Sequence, residues 1–177
     1  MDKLNVIIIG STGMVGRGIL LECMDSPQVE SVVVVNRNPI DIKHPKVREF
    51  IVKDFSNLDS VREVLKGFNA CFYSLGITSV GATETDYTYI MHDLTIMFAR
   101  QVLAMNPEMT FCFVSGAGTD STEKGKSMWA RVKGRTENDL LKLGFKQAYM
   151  FRPGLIIPMR GIKSRTGWYN FIYSVTK

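Results

Sequence analysis

Short continuous apolar runs alternate along this chain with longer segments whose apolar positions recur every three or four residues. Val6-Ile7-Ile8-Ile9 is the first run. It is too short for a helix and all β-branched, which predicts a strand buried on both faces. Val15, Ile19, Leu20 and Cys23 then fall on one side of a predicted helix. Ser31 to Val35 reads as a second buried strand, and Val47 to Val52 alternates like a third. Asn57 to Lys66 has the pattern of a short helix, and Ala70 to Leu75 that of a buried strand. Thr85 to Met105 predicts a long helix with Ile90, Leu94, Met97, Phe98 and Val102 as its apolar stripe. Thr110 to Val114 is a strand, Ser127 to Leu143 a helix, and Ala148 to Phe151 a strand closed by Arg152-Pro153-Gly154. Pro158 to Gly167 follows neither period and reads as a loop. Crossovers of this length imply an α/β fold: a doubly wound parallel sheet in three α/β/α layers, with ligands at the carboxyl ends of the strands. The expected organisation is one domain over 1–177, with 155–177 as a short substrate-side extension.

The junction between the first strand and helix carries the sharpest chemical signal. Gly10-Ser11-Thr12-Gly13-Met14-Val15-Gly16 follows the apolar run and opens the helix, the context in which glycines grip a dinucleotide. The first glycine permits the tight turn and the second a close approach to a pyrophosphate. The third lets the helix pack closely on the sheet, with its N-terminal N–H groups toward the anion. About 20 residues further on, an NAD-selective unit places an acid against the ribose 2′-hydroxyl. Asn36-Arg37-Asn38 stands there instead. An arginine grips a 2′-phosphate and lies against adenine, so NADP is expected over NAD. Asp54-Phe55, ending the third strand, is expected beside the adenine, and Ser74-Leu75-Gly76, ending the fourth, beside the linking riboses.

Composition sets limits. A chain of 177 residues with 45% hydrophobic content suffices for one substantial core. Cys23, Cys71 and Cys112 lie in apolar stretches without metal-ligand spacing and read as buried thiols. With no apolar run of membrane-spanning length and a first strand starting almost at residue 1, the expectation is a cytoplasmic protein without membrane association. The net charge of +5 is uneven: residues 131–177 hold ten Lys or Arg against only Glu137 and Asp139. These cations are scattered and match no nucleic-acid motif, so they read as a solvated face near an anionic cofactor. His92, beside Asp93 in the long helix, reads as a packing or surface residue and His44 as exposed. Met91, Met97 and Met105 read as adaptable core filling.

Four segments together resemble the atypical short-chain dehydrogenase/reductases, the group that includes Tat-interacting-protein-like and NAD(P)-dependent epimerase/dehydratase-like proteins. They are Gly10 to Gly16, Val114-Ser115-Gly116-Ala117, Trp129-Ala-Arg-Val-Lys133-Gly-Arg-Thr-Glu137 and Phe151-Arg152-Pro153-Gly154. The resemblance runs from residue 4 to about 158 and implies a Rossmann fold. By position it implies that Ser115 orients a substrate oxygen and that Lys133 holds the nicotinamide ribose. In that family a tyrosine four residues before the lysine donates the proton. Here the position is Trp129, whose indole N–H has no accessible acid/base equilibrium. Three explanations stand open. Another donor could act: Tyr87, Tyr89, Tyr169, Tyr173 or a water held by Ser115. The site could bind NADP without turnover. The helix could also be shifted in register.

The family typically continues some tens of residues beyond the sixth strand. Here Trp168 to Tyr173 forms an aromatic stretch suited to docking on the body or on a second subunit, which makes a homodimer a further expectation. The resemblance implies hydride transfer between NADP(H) and a small carbonyl or hydroxyl compound. The competing expectation is a non-catalytic NADP(H) sensor or interaction protein.

Overall fold

The computed structural model describes residues 3–162. Six strands form one parallel sheet: β1 (Leu4–Ile9), β2 (Val29–Asn36), β3 (Val47–Ile51), β4 (Ala70–Tyr73), β5 (Thr110–Val114) and β6 (Gln147–Phe151). Their spatial order is β3-β2-β1-β4-β5-β6. The winding direction reverses between β1 and β4, which opens a crevice outside their carboxyl ends.

The two faces of each strand separate the core. Val6 and Ile8 of β1 join Val32 and Val34 of β2 beneath Leu20 and Cys23 of helix α1 (Met14–Asp25). Ile7, Ile9, Val33 and Val35 face the other way. There they join Tyr73, Phe111 and Phe113 under Phe98 and Val102 of α3 (Leu94–Met105) and Leu140 of α4 (Met128–Lys142). The result is the three-layer, doubly wound arrangement expected. At the β6 edge, Tyr149 and Phe151 remain exposed at 48% and 51%.

Local structure departs from the apolar pattern in three places. Residues 57–66 form two 3-10 turns, Asp59–Val61 and Glu63–Leu65, instead of a helix. The Gln101 side chain takes the Leu58 N–H and the Asn57 side chain takes that of Asp59, so donors are satisfied without a helical ladder. Strand β4 stops at Tyr73, which leaves Ser74 and Leu75 just past the ladder.

The long helix is interrupted. It comprises α2 (Glu84–Thr88), a π turn (Tyr89–Asp93) and α3. One extra residue in a turn rotates the apolar face, so Met91 and His92 are buried while Met97 is 42% exposed. Met97 is therefore not the core residue expected. His92 is a packing residue whose Nδ1 lies 2.7 Å from Asp93 and whose Nε2 lies 2.9 Å from Asp139 on α4. Thr136 Oγ1 of α4 lies 3.2 Å from the Met91 carbonyl oxygen, with its proton directed to the Val132 carbonyl at 2.7 Å. The π turn is thereby fixed to α4. His44 is half-buried, and its Nδ1 accepts from the Lys46 N–H.

Residues 152–162 carry no regular element. Arg160 ion-pairs with Asp25 of α1, and Ile162 lies 3.9 Å from where a Cβ on Gly18 would stand. The remainder of the expected loop, most of the expected extension, and Tyr169 and Tyr173 lie outside the described residues.

Candidate nucleotide site and the adjoining reaction face

The glycine turn is built by close backbone approach. Gly10 has φ +85°, the left-handed region, and a Cβ there would stand 2.7 Å from the backbone of Ser74 and Leu75. A Cβ on Gly16 would meet the Gly10 carbonyl oxygen at 2.2 Å and Ser74 Oγ at 2.5 Å. Only hydrogen fits at either position. Gly13 N–H donates to the Gly10 carbonyl at 2.9 Å and closes the turn. Ser74 Oγ donates to the Ile9 carbonyl at 2.7 Å and locks the end of β4 to β1. Helix α1 has no acid in its first turn, so nothing in its own side chains neutralises the dipole and free N–H groups there.

A cleft of about 270 Å³ opens beside this turn. Gly10, Thr12, Gly13, Met14, Asn36, Arg37, Phe55, Ser74, Leu75 and Gly76 line it, joined by Val35 and Asn38. Ten of the predicted cofactor residues are therefore brought together. A second opening of about 480 Å³ lies across the turn, where Ser11 and Arg17 meet Arg160 to Ile162. Val15, Gly16, Asp54 and Lys133 line neither opening. The Asp54 carboxylate accepts the Ser56 N–H at 2.8 Å, and hydrogen bonding to Ser56 lowers its pKa. Its second carboxylate oxygen has no hydrogen-bond partner among the described residues.

Ser11 and Asn36 lie at the site but turn their side chains into each other. Ser11 Oγ donates to Asn36 Oδ1 at 2.9 Å, and Asn36 Nδ2 donates to Glu49 at 2.9 Å. The same Glu49 oxygen accepts the Ile40 N–H at 2.9 Å. This relay, buried at Ser11 and Asn36 and half-buried at Glu49, shapes the loop that presents exposed Arg37. No local sequence signal announces Glu49, since its partners arrive from β2 and the following loop.

The reaction face gathers at the ends of β5 and α4. Ser115 N–H donates to the Phe151 carbonyl at 2.7 Å, which seats the turn after β5 against β6. Ser115 Oγ lies 2.9 Å from Thr119 Oγ1, which itself donates to the Gly116 carbonyl at 2.7 Å. With its only proton so used, Thr119 accepts from Ser115. The Ser-x-x-x-Thr spacing was the missed signal.

Trp129 packs along this turn, its six-membered ring 3.3 Å from a Cβ placed on Gly118 and 3.9 Å from one on Gly116. Lys133 Nζ lies 5.7 Å from the centre of the Phe113 ring. Burial pushes its pKa down to about 8, with Glu137 opposing. Glu137 is itself buried and accepts from Arg152 Nε at 3.0 Å, and Arg152 also reaches Ser121 at 2.6 Å. Arg152 thus ties β6 to α4. Tyr87 is buried beside Met91 and Val132, with Trp129 packed on the same cluster, and burial raises its pKa. Tyr89 is exposed.

A parallel sheet with its glycine turn at the reversal point defines a dinucleotide-binding α/β class. The family model described as the NAD dependent epimerase/dehydratase family matches residues 6–122, and the chain belongs to that family. It is similar to Protein fmp52, mitochondrial, of Aspergillus clavatus, with 32% identity covering 88% of this chain and 68% of that protein. The Debaryomyces hansenii protein of the same name is 30% identical, covering 89% and 69%.

Among solved structures, a nucleoside-diphosphate-sugar epimerase from Agrobacterium tumefaciens superposes with TM-score 0.70 at 17% identity, covering 99% of this chain. MoeE5, in complex with UDP-glucose and NAD, gives TM-score 0.67 at 17% identity, covering 84%. The chain spans only 59% and 53% of those two structures. The relatives' mitochondrial designation corrects one expectation: it points to mitochondria instead of the cytoplasm. Among the described residues no helix is long and apolar enough to cross a membrane.

Proposed function

We propose that this chain binds NADP(H) and transfers hydride between it and a small carbonyl or hydroxyl compound. The observation that carries the reading is the fit of Gly10 and Gly16 against the end of β4, where no Cβ can stand, beside a cleft containing Arg37. The family and the NAD named with a solved neighbour support it. When bound, the nicotinamide supplies or accepts the hydride.

The chain's residues do the rest. Gly13 and the first N–H groups of α1 receive the pyrophosphate. Arg37 takes the 2′-phosphate, and the relay of Ser11, Asn36 and Glu49 holds its loop in place. Phe55 packs at the adenine end, while Ser74, Leu75 and Gly76 border the riboses. Lys133 holds the nicotinamide ribose with a charge that burial makes easy to lose. Ser115, oriented by Thr119, meets the substrate oxygen.

Trp129 favours a second reading, a sensor that binds NADP(H) without turnover, because an indole cannot return a proton. Assaying oxidation of NADPH with a panel of aldehydes, ketones and quinones separates the two. Turnover of any member supports the enzyme; tight binding with none supports the sensor. In either case Arg37→Ala weakens NADPH more than NADH, and equal weakening removes Arg37 from the 2′-phosphate.

A further inference from the structure

Lys53, just beyond β3, is exposed, and its Nζ donates to the Arg37 carbonyl oxygen at 2.8 Å. Two cations from neighbouring strand ends therefore meet at one short piece of backbone beside the adenosine end of the cleft. Neither forms an ion pair among the described residues. Three acids lie nearby in sequence: Asp41, Glu49 and Asp54. Glu49 accepts from Asn36 and Ile40, and Asp54 accepts from Ser56. None of these carboxylates is ion-paired with Arg37 or Lys53, so both cations keep donors for an added anion.

Donor counting sharpens this. An ammonium has three N–H groups, and Lys53 uses one on the Arg37 carbonyl, leaving two for an anion. Arg37 adds a planar fork suited to phosphate oxygens. A phosphomonoester with a double negative charge and three terminal oxygens matches a fork and an ammonium together better than a hydroxyl or a single carboxylate does.

We infer that Lys53 and Arg37 jointly form the seat of a ribose 2′-phosphate, and that Lys53 is a second residue determining NADP over NAD. The inference rests on the dinucleotide reading of the glycine turn. Lys53 acts in two ways: its charge attracts the phosphate, and its bond to the Arg37 carbonyl holds the arginine's backbone where the fork can reach.

Calorimetric titration of the full chain with NADPH, NADH, 2′-AMP, 5′-AMP and inorganic phosphate tests it. Lys53→Met is expected to weaken NADPH and 2′-AMP roughly three- to tenfold, as loss of one partly exposed charged contact does, while NADH and 5′-AMP stay within about twofold. Lys53→Arg is expected to retain most of the NADPH affinity, and both variants to melt with the wild type. Equal weakening of NADPH and NADH by Lys53→Met, or no weakening of NADPH, overturns the inference. So does inorganic phosphate binding as tightly as 2′-AMP, which would make the pair a general anion site. If wild type binds NADPH and NADH equally, the phosphate seat is refuted while the dinucleotide site stands; if it binds neither, both readings fail.

Discussion

Two glycines in one helix are predicted to respond to the same substitution with opposite signs. Gly16 and Gly18 both lie in α1, and replacing a helical glycine by alanine gains about 0.5–1 kcal/mol from backbone entropy alone. At Gly18 the nearest atom to a new Cβ is Ile162 Cδ1 at 3.9 Å. The methyl group fits, and Gly18→Ala should raise stability by up to about 1 kcal/mol, or roughly 2–4 °C in Tm.

At Gly16 the new Cβ meets the Gly10 carbonyl oxygen at 2.2 Å and Ser74 Oγ at 2.5 Å. Ordinary carbon contacts begin near about 3.5 Å, so α1 must move away from β1 and β4 by about 1 Å. Overpacking of this kind costs about 1–3 kcal/mol or more, and here the obstructing atom at Gly10 is backbone that cannot rotate aside. Gly16→Ala should therefore lower Tm by several degrees after the helical gain is subtracted. It should also weaken NADPH about tenfold or more, because the displaced helix carries the N–H groups that receive the pyrophosphate. Urea and thermal unfolding, followed by NADPH titration, read both effects. If Gly16→Ala and Gly18→Ala behave alike, the close approach at residue 16 is not what holds this turn.

Three further residues give testable outcomes. Burial lowers the folded-state pKa of Lys133 to about 8 from the usual 10.5, so its positive charge fades as pH rises through about 8. NADPH affinity should fall over that range in wild type and lose this dependence in Lys133→Met; a flat wild-type profile would contradict the placement of Lys133. Because the folded value lies below the unfolded one, the same titration should make the fold more stable as pH climbs from about 8 toward 10.5, opposite in sign to the effect on binding. Arg152→Ala leaves the Glu137 carboxylate buried without its cation, and urea unfolding should show a loss of about 2–4 kcal/mol; a loss under about 1 kcal/mol would mean that water replaces the guanidinium. Trp129→Tyr restores an ionisable donor one helical turn from Lys133, and NADPH-dependent carbonyl reduction should rise by about tenfold or more. Unchanged turnover with intact NADPH affinity would show that proton supply is not what limits the site.

The legible features were local ones. An all-β-branched run leading into three glycines is a pattern written in consecutive residues, and β1, the turn and α1 appear where the pattern places them. Arg37 followed just as directly, as the residue after β2. The π turn was not legible because its cause is remote: His92 meets Asp139 from 47 residues away and Met91 meets Thr136 from 45. The relay of Ser11, Asn36 and Glu49 joins three elements for the same reason. Asp54 is a different case. Its Asp-x-Ser spacing signals the bond that the carboxylate makes to the Ser56 N–H. Location was not legible because composition reports the absence of a spanning segment and not a compartment; the expected cytoplasmic placement disagrees with the mitochondrial designation of the relatives.

If the glycine turn between β1 and α1 is a nucleotide seat, the folded chain binds a nicotinamide dinucleotide there. Titrating the full chain with NADPH and NADH by calorimetry, with quenching of intrinsic tryptophan fluorescence as a second signal, addresses it directly. Saturable binding of one cofactor per chain, tighter for NADPH than for NADH and weakened about tenfold or more by Gly16→Ala, is the predicted result. Absence of binding for both cofactors by a folded wild-type chain would contradict the claim.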